Sequence, residues 1–541
     1  MSRFRVRSQL ALRAPRNDTE NPMIRSLLTV STGTMASRLL GFARDAMVAA
    51  LLGAGPVADA FLVAFQMVNV IRRLLAEGAL NAALIPGWLR VRAARGEIAA
   101  AAFAGRVLGT ISVALVAVTV LIGFAMPVVI ALLAPGFVGE ATLQMAVDDA
   151  RLMLPYLAFA GPVTVMMGLL NAQHRFALTA FSPLLFNIAL IAMMTALLAW
   201  RQDPATAASL IAATVGNAGL LQLAMLLLRR GPDNVATPLR VSFDKEMRGF
   251  LRRALPGMVA NSGPQLLIVA GAVIASHSPS VVSWLYFANR LIELPLGIVG
   301  TAMGTVLVPQ LTRAVRAGDH AALLHAESRG LELAVGLALP ATLGLMVLGQ
   351  PIVQLLFEHG AFDATDTAAT AQALLWLALG LPAHVLVKAL SPAFFARDDT
   401  MTPLWASLIG LAVAIVAALA LGRFGAAGIA AAIALAAWSS AIVLIARGAG
   451  RFGLPLDDPA RRRLPRIVMA ALAMGALLWL KAGFTWPWAA EAHGLAQAAL
   501  LGLLIAGGLL VYAALLAILG VVTPTDAWRA VRQSRTGRLR G

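Results

Sequence analysis

The chain has 541 residues, of which 60% are hydrophobic and 13% charged, with a mean hydropathy of +0.81 and a formal charge of +17. A soluble globular domain carries about 25% charged residues, so these values exclude that class and describe an all-α polytopic membrane protein. The lack of cysteine excludes disulfides, thiolate metal sites and a cysteine nucleophile.

From the N-terminus, residues 1–22 (MSRFRVRSQLALRAPRNDTENP) carry five arginines and no apolar run long enough for a signal-peptide core. They read as a disordered basic extension, and translation starting at Met23 is an equally open reading. Beyond them the chain divides into 14 expected spans near 27–53, 58–88, 105–130, 149–172, 178–200, 206–228, 250–276, 281–312, 328–350, 367–394, 402–421, 424–446, 464–482 and 495–520.

Three of these spans carry charge at membrane depth. The first holds Arg38, Arg44 and Asp45, the second Arg72, Arg73 and Glu77, and the eighth Arg290 and Glu293. Each such residue costs at least ~2.5–3.5 kcal/mol on insertion scales, so the set must face a water-filled or protein-lined cavity. Because the set is mostly cationic, the natural guest of that cavity is an anion. On an ideal helix Arg73 and Glu77 are one turn apart, as are Arg290 and Glu293, so each couple can pair within its helix. Asp59, Gln66, Arg73 and Glu77 share one face, and Arg38 shares a face with Asp45. Structural pairing alone does not account for the set, since Arg44 and Arg72 have no obvious neighbour on their own helices.

Basic residues fall in alternate loops: Arg90, Arg92 and Arg95; Arg175; Arg229 to Arg253; Arg313 and Arg316; Arg397; Arg447 to Arg466; and the tail from Arg529 to Arg540. The opposite loops are poor in base or acidic, including the stretch with Glu140, Asp148 and Asp149 and the one with Glu358, Asp363 and Asp366. The positive-inside rule then puts both termini in the cytoplasm and requires an even number of spans. The same placement removes nucleic acid as the reason for the high net charge.

Motifs for chemistry are missing from the sequence. The seven histidines form no zincin pair, the three lysines (Lys245, Lys388, Lys481) follow no glycine as a phosphate loop would need, and no G-x-S-x-G elbow occurs. An internal repeat is visible instead. NAALIPGWLRVRAARGE (81–97) resembles GTVLVPQLTRAVRAGDH (304–320), and Pro162 and Pro183 fall over Pro382 and Pro403 at one displacement. Two parallel bundles of six helices around a central site are expected, with the last two spans outside the repeat.

MIRSLLTVSTGTMASRLLGFARDAMVAALLGAGPVADAFLVAF, NVIRRLLAEGALNAALIP and SWLYFANRLIELPLGIVGTAMGTVLVPQL resemble the MurJ (MviN) lipid II flippase family, as do APGF at 134–137, LPY at 154–156 and RDDTMTP at 397–403. That family belongs to the multidrug/oligosaccharidyl-lipid/polysaccharide exporter superfamily. The resemblance implies two six-helix bundles flanking a cationic cavity and two C-terminal helices forming a lipid-tail groove. It implies substrate-binding roles for Arg38, Arg44, Arg72 and Arg290, with Asp45, Asp59, Arg73, Glu77 and Glu293 as supporting cavity charges. Where family members often carry a lysine and an aspartate, this chain has Gln66 and Asn289. The helical wheel favours Arg73 on the Asp59 face, whereas the resemblance points to Arg72.

The expected organisation is a 1–22 extension, an N-terminal bundle at 23–230, a linker at 231–249, a C-terminal bundle at 250–450, a loop at 451–463, two further helices at 464–522 and a basic tail at 523–541. The expected function is outward flipping of lipid II, the undecaprenyl-diphosphate-linked disaccharide-pentapeptide, across the bacterial inner membrane by alternating access. No covalent chemistry and no cofactor are expected, and the membrane potential or an ion gradient would drive the cycle. Expected partners are lipid II, membrane lipids and cell-wall synthesis proteins. An exporter of another anionic lipid-linked oligosaccharide fits the charge equally well. Cationic drugs would want an acidic cavity, and an enzyme acting on the same lipid would need a large extracytoplasmic loop that the sequence does not provide. A non-transporting scaffold would have no need of buried arginines.

Overall fold

A computed structural model describes residues 21–76, 79–173, 175–228, 236–237, 239–260, 263–453, 456–491 and 494–521. The described residues are helical almost throughout. The first group comprises α1 (Asn21–Leu52), α2 (Pro56–Ala76), α3 (Ala79–Phe124), α4 (Met126–Leu133), α5 (Ala141–Met153), α6 (Pro155–Ala172), α7 (Phe176–Trp200) and α8 (Pro204–Leu228). The second comprises α9 (Lys245–Ala260), α10 (Gly263–Ala275), α11 (Val281–Ala302), α12 (Val308–Ala317), α13 (His320–Phe357), α14 (Ala364–Phe395), α15 (Met401–Leu421) and α16 (Gly425–Phe452). Helices α17 (Asp458–Glu491) and α18 (Leu495–Ile518) follow and pack on each other and on α13.

Backbone amides that cannot reach water must bond within their own segment, which is why the apolar stretches are helices. Among the described residues, nine stretches are long and apolar enough to cross a membrane. Their outward faces carry exposed Leu121, Phe124, Val416, Leu419 and Ile518, a surface suited to lipid. One of them, Met401–Phe452, covers two expected spans and folds as α15 and α16, joined through Gly425 at φ +62°. The expected spans outside these stretches are 27–53, 58–88, 250–276 and 281–312. The first, second and fourth of these hold the charges at membrane depth.

Helix breaks fall at specific residues. Within α3 the chain leaves helical geometry at Gly96 (φ +82°, ψ −178°), whereas Pro86 lies inside helix. Pro155 starts α6 directly after α5, and a π turn at Met303–Leu307 separates α11 from α12. The expected linker at 231–249 already contains the first turn of α9, which ion pairs dock onto α3: Arg95 to Glu246 at 2.6 Å, Arg106 to Glu246 at 2.6 Å and Arg106 to Asp244 at 3.1 Å.

The largest core cluster joins the two helix groups. Phe287 of α11 lies 5.1 Å from Phe357 and 5.5 Å from Phe362, and Phe42 of α1 stacks on Phe357 at 5.9 Å. Close by, the groups meet through main-chain atoms. Ala361 N–H donates to Ala50 O at 2.8 Å, and Gly136 N–H donates to Ser276 Oγ at 3.0 Å. A side chain on Gly53, Gly136 or Gly360 would lie 2.5, 2.3 or 2.2 Å from a backbone oxygen of the facing group. This end, which carries the acidic and base-poor loops, is therefore sealed.

The opposite end is rich in paired arginines. Glu332 of α13 accepts from Arg329 at 2.6 Å and approaches Arg463 of α17 at 3.7 Å, Glu327 holds Arg397 at 2.7 Å, and Arg451 pairs with Asp399. The Thr402 backbone N–H, the Thr402 hydroxyl and the Arg451 guanidinium hold the Asp399 carboxyl below the usual carboxylate range. A depressed folded-state value means that the stabilisation is present above the ordinary carboxylate pKa and is lost as pH falls through the folded one. Asp399→Ala should therefore lower stability near neutral pH by about 1 kcal/mol, the usual worth of a helix-start cap. Thermal unfolding of the solubilised chain should show this deficit at pH 7 and its disappearance in acid.

Candidate functional site

The charges that sequence reading singles out come from α1, α2 and α11, and the structure brings Arg44 and Arg290 together on one carboxylate, with Glu293 and Arg73 linked to it through Arg290. Asp45 of α1 is 1% exposed. Arg44 donates to its Oδ1 through Nε at 2.9 Å and Nη2 at 2.6 Å, and the Tyr286 hydroxyl donates to the same oxygen at 3.2 Å. Arg290 Nε lies 2.5 Å from Oδ2, a close ionic contact whose N–H does not point along a hydrogen-bond direction. Two guanidinium groups from different helix groups thus share one buried acid.

Each arginine is held further. Arg44 donates to Asn187 of α7 at 3.2 Å and lies over the Phe65 and Phe186 rings at 5.0 and 6.0 Å. Arg290 donates to Glu293 Oε2 at 2.8 Å, so the expected intrahelical pair on α11 forms. The sequence reading that Arg44 has no partner on its own helix is corrected: its partner is the adjacent Asp45. Consecutive side chains on a helix diverge by about 100°, but a long arginine can fold back over a short aspartate.

Arg73 of α2 approaches Glu293 Oε1 at 3.7 Å, a contact to α11 that the helical wheel could not supply. Its expected partner Glu77 lies outside the described residues. Arg72 donates to Asn69 at 3.4 Å on its own helix. On α11, Arg290, Glu293, Gly297 and Gly300 lie on one face at spacings of three, four and three. Absent side chains on the two glycines leave room for cations from other helices: a Cβ on Gly297 would sit 2.5 Å from Arg38 Nη1, and one on Gly300 would sit 3.3 Å from Lys388 Nζ. Lys388 of α14 is a cation beside the glycine face of α11 that the sequence reading weighed only as a phosphate-loop lysine. Its signal was present, since it is a charge inside the expected span 367–394.

Asp59 does not join this cluster. It is 1% exposed at the sealed end, where it accepts from Ser280 N–H at 2.7 Å, Ser283 N–H at 2.9 Å and Ser283 Oγ at 2.5 Å. An acid from α2 thereby caps the N-terminus of α11, where a negative group is favoured. It acts as a fastening between helix groups, not as a cavity charge.

Among the described residues, Arg44, Arg73 and Arg290 meet at Asp45 and Glu293, Arg38 and Lys388 approach the glycine face of α11, and Arg72 is placed against Asn69 of its own helix. Cations so much in excess, partly pre-oriented by acids and aromatic faces, form a set of fixed donors for an anion with several oxygens. Groups of three or more histidines and acids able to hold a metal are not present among the described residues.

The profile of the family described as lipid II flippase MurJ matches residues 48–496. A relative described as probable lipid II flippase MurJ, from Rhizobium meliloti (strain 1021), is 38% identical over 466 residues, covering 85% of this chain and 86% of that protein. Among solved structures, a lipid II flippase MurJ in an inward closed conformation superposes with a TM-score of 0.74 at 21% identity, over 91% of this chain and 98% of the other. An inward-facing multidrug resistance MATE family transporter of the MOP superfamily gives 0.65 at 15% identity, over 82% and 98%. At those identities the two structures speak for the fold.

Proposed function

Because the chain belongs to the lipid II flippase MurJ family, as a multi-pass bacterial membrane protein, we propose that it moves lipid II from the cytoplasmic to the periplasmic leaflet of the inner membrane. The observation that carries this reading is the excess of cations around Asp45 and Glu293, where the two helix groups meet beneath the end that Asp59 fastens. Arg38, Arg44, Arg72 and Arg290, aided by Lys388, would supply donors to the diphosphate in place of its lost hydration while the prenyl tail stays in lipid. Alternating access then amounts to opening the sealed end and closing the other, a movement of bound lipid without covalent chemistry.

The working architecture is 14 spans in two six-helix bundles, 23–230 and 250–450, with α17 and α18 added. What supports this count is that pairs of consecutive helices, such as α5 with α6 and α11 with α12, read as single bent spans. Both termini would be cytoplasmic. In this natively cysteine-free chain, single cysteines at the exposed positions Arg95, Arg316 and Arg462 should resist an impermeant thiol reagent in intact cells, and cysteines at Glu140 and His277 should react. Reversed labelling would overturn the orientation and the direction of transport.

Depletion of the protein in cells tests the function. Lipid II should accumulate in the inner leaflet, out of reach of externally added probes; accumulation of a different polyprenyl-linked glycan would favour the alternative cargo. The membrane potential is the proposed driving force. A diphosphate moving outward travels with the field, at ~2.3 kcal/mol per unit charge per 100 mV, and the emptied cationic cavity is drawn back by the same field. Collapsing the potential at constant ATP should slow flipping.

A further inference from the structure

One buried acid takes no part in the cluster. Asp149 lies two turns into α5 and is 3% exposed, beside buried Ala146, Val147, Ala150 and Met153. Its one hydrogen-bond partner among the described residues is the Ser209 hydroxyl of α8, which donates to Oδ1 at 3.3 Å. Among the described residues no cation pairs with it: Arg151, the basic residue of α5, turns out to Asp148 at 4.0 Å, where both side chains are about half exposed.

The elements packed against α5 are α2, α4, α6, α8 and the Pro135–Phe137 turn. From α2 the acid at this end is Asp59, committed to Ser280 and Ser283, and the cations Arg72 and Arg73 lie at the far end of that helix. Helix α6 brings Tyr156, whose hydroxyl is directed to Gln222 of α8 at 3.4 Å. Helices α4 and α8 and the turn carry no charged residue, and Asp148 adds a second negative group. A bare carboxylate buried between α5 and α8 is far costlier than a neutral acid, and one hydroxyl is too few ligands for a metal cation.

We propose that Asp149 is a proton-binding site, loaded while the end near Asp59 is sealed and emptied when that end opens. The coupling element is α2. It packs on α5, carries Asp59 in its first turn and reaches the cation cluster through Arg73 at its other end. Releasing the proton would require water to enter between α5 and α8, the two helices on which α2, the fastener of the seal, is packed. The role in a transport cycle rests on the flippase reading; proton binding itself does not.

Infrared difference spectroscopy of the full-length protein in membranes, taken on raising the pH, separates these points. Wild type should lose the carbonyl stretch of a protonated carboxylic acid, Asp59→Asn should still lose it, and Asp149→Asn should show none to lose. An Asp149→Asn spectrum identical to wild type overturns the proposal. Should Asp149→Asn not accumulate, Ser209→Ala provides the second test. Among the described residues the hydroxyl is the one donor to this carboxyl group, so its removal should shift the frequency of the protonated-acid carbonyl band, and an unshifted band overturns the proposal equally. Failure of depletion to trap lipid II would overturn the flippase reading and leave these spectra unchanged.

Discussion

Arg290→Ala should insert into the membrane at normal abundance and fail to support growth that depends on this protein. Arg290 joins the two helix groups at their charged centre, with Nε against Asp45, Nη1 on Glu293 and Nη2 over Gly41 of α1. Its acids occupy only part of the guanidinium, which has five N–H donors, so it is held in place and still able to donate. Hydrogen bonds to charged groups contribute about 1.5–3 kcal/mol each, so losing even one to the diphosphate should slow flipping by about 10- to 150-fold. Arg290→Lys should recover part of this, because a lysine keeps the charge and loses the planar two-pronged contact. Flipping per molecule, normalised to immunoblot abundance, is the measurement. If the alanine variant instead vanishes from the membrane, Arg290 serves structure, and the substrate role falls to Arg38, Arg72 and Lys388.

Asp59→Ala should tilt the molecule toward opening at the sealed end. Three hydrogen bonds to a buried carboxylate are lost, and the backbone N–H groups of Ser280, just before α11, and Ser283, in its first turn, lose their acceptor. A net cost of about 3 kcal/mol to the sealed state alone changes the ratio of states about 100-fold. A cysteine at Val282, 2% exposed next to Ser283, reads this out in a chain with no other cysteine. Labelling by an impermeant reagent should be slow with Asp59 present, fast in Asp59→Ala and intermediate in Asp59→Asn, which keeps one carbonyl acceptor. Equal rates in all three would mean that the main-chain contacts and the phenylalanine cluster close this end without Asp59.

The helical class and the positions of the charged spans were legible in the sequence, because the cost of charge in a bilayer leaves few places for Arg38, Arg44 and Arg290. Partners were less legible. Periodicity identifies neighbours on one helix, as it did for Arg290 and Glu293, but Asp45 meeting Arg290 or Arg73 meeting Glu293 depends on how helices pack, which no single-helix pattern encodes. Asp59 went astray for the same reason: a face shared with Arg73 says nothing of what lies two turns away on another element. Asp149 was assigned to an acidic loop because the hydropathy window opened at residue 149, whereas α5 begins at Ala141 and carries the acid inside.

The seal near Asp59 is made largely of bare backbone, with Gly53, Gly136 and Gly360 pressed against carbonyl oxygens across the divide. A door that shuts bone to bone has no side chain to swing aside, and it tolerates nothing in the jamb. A single methyl group at Gly136 or Gly360 is therefore a doorstop: it would prop the molecule ajar without touching a charged residue. A small ligand wedged into the same crevice would do likewise, stalling the machine by geometry alone.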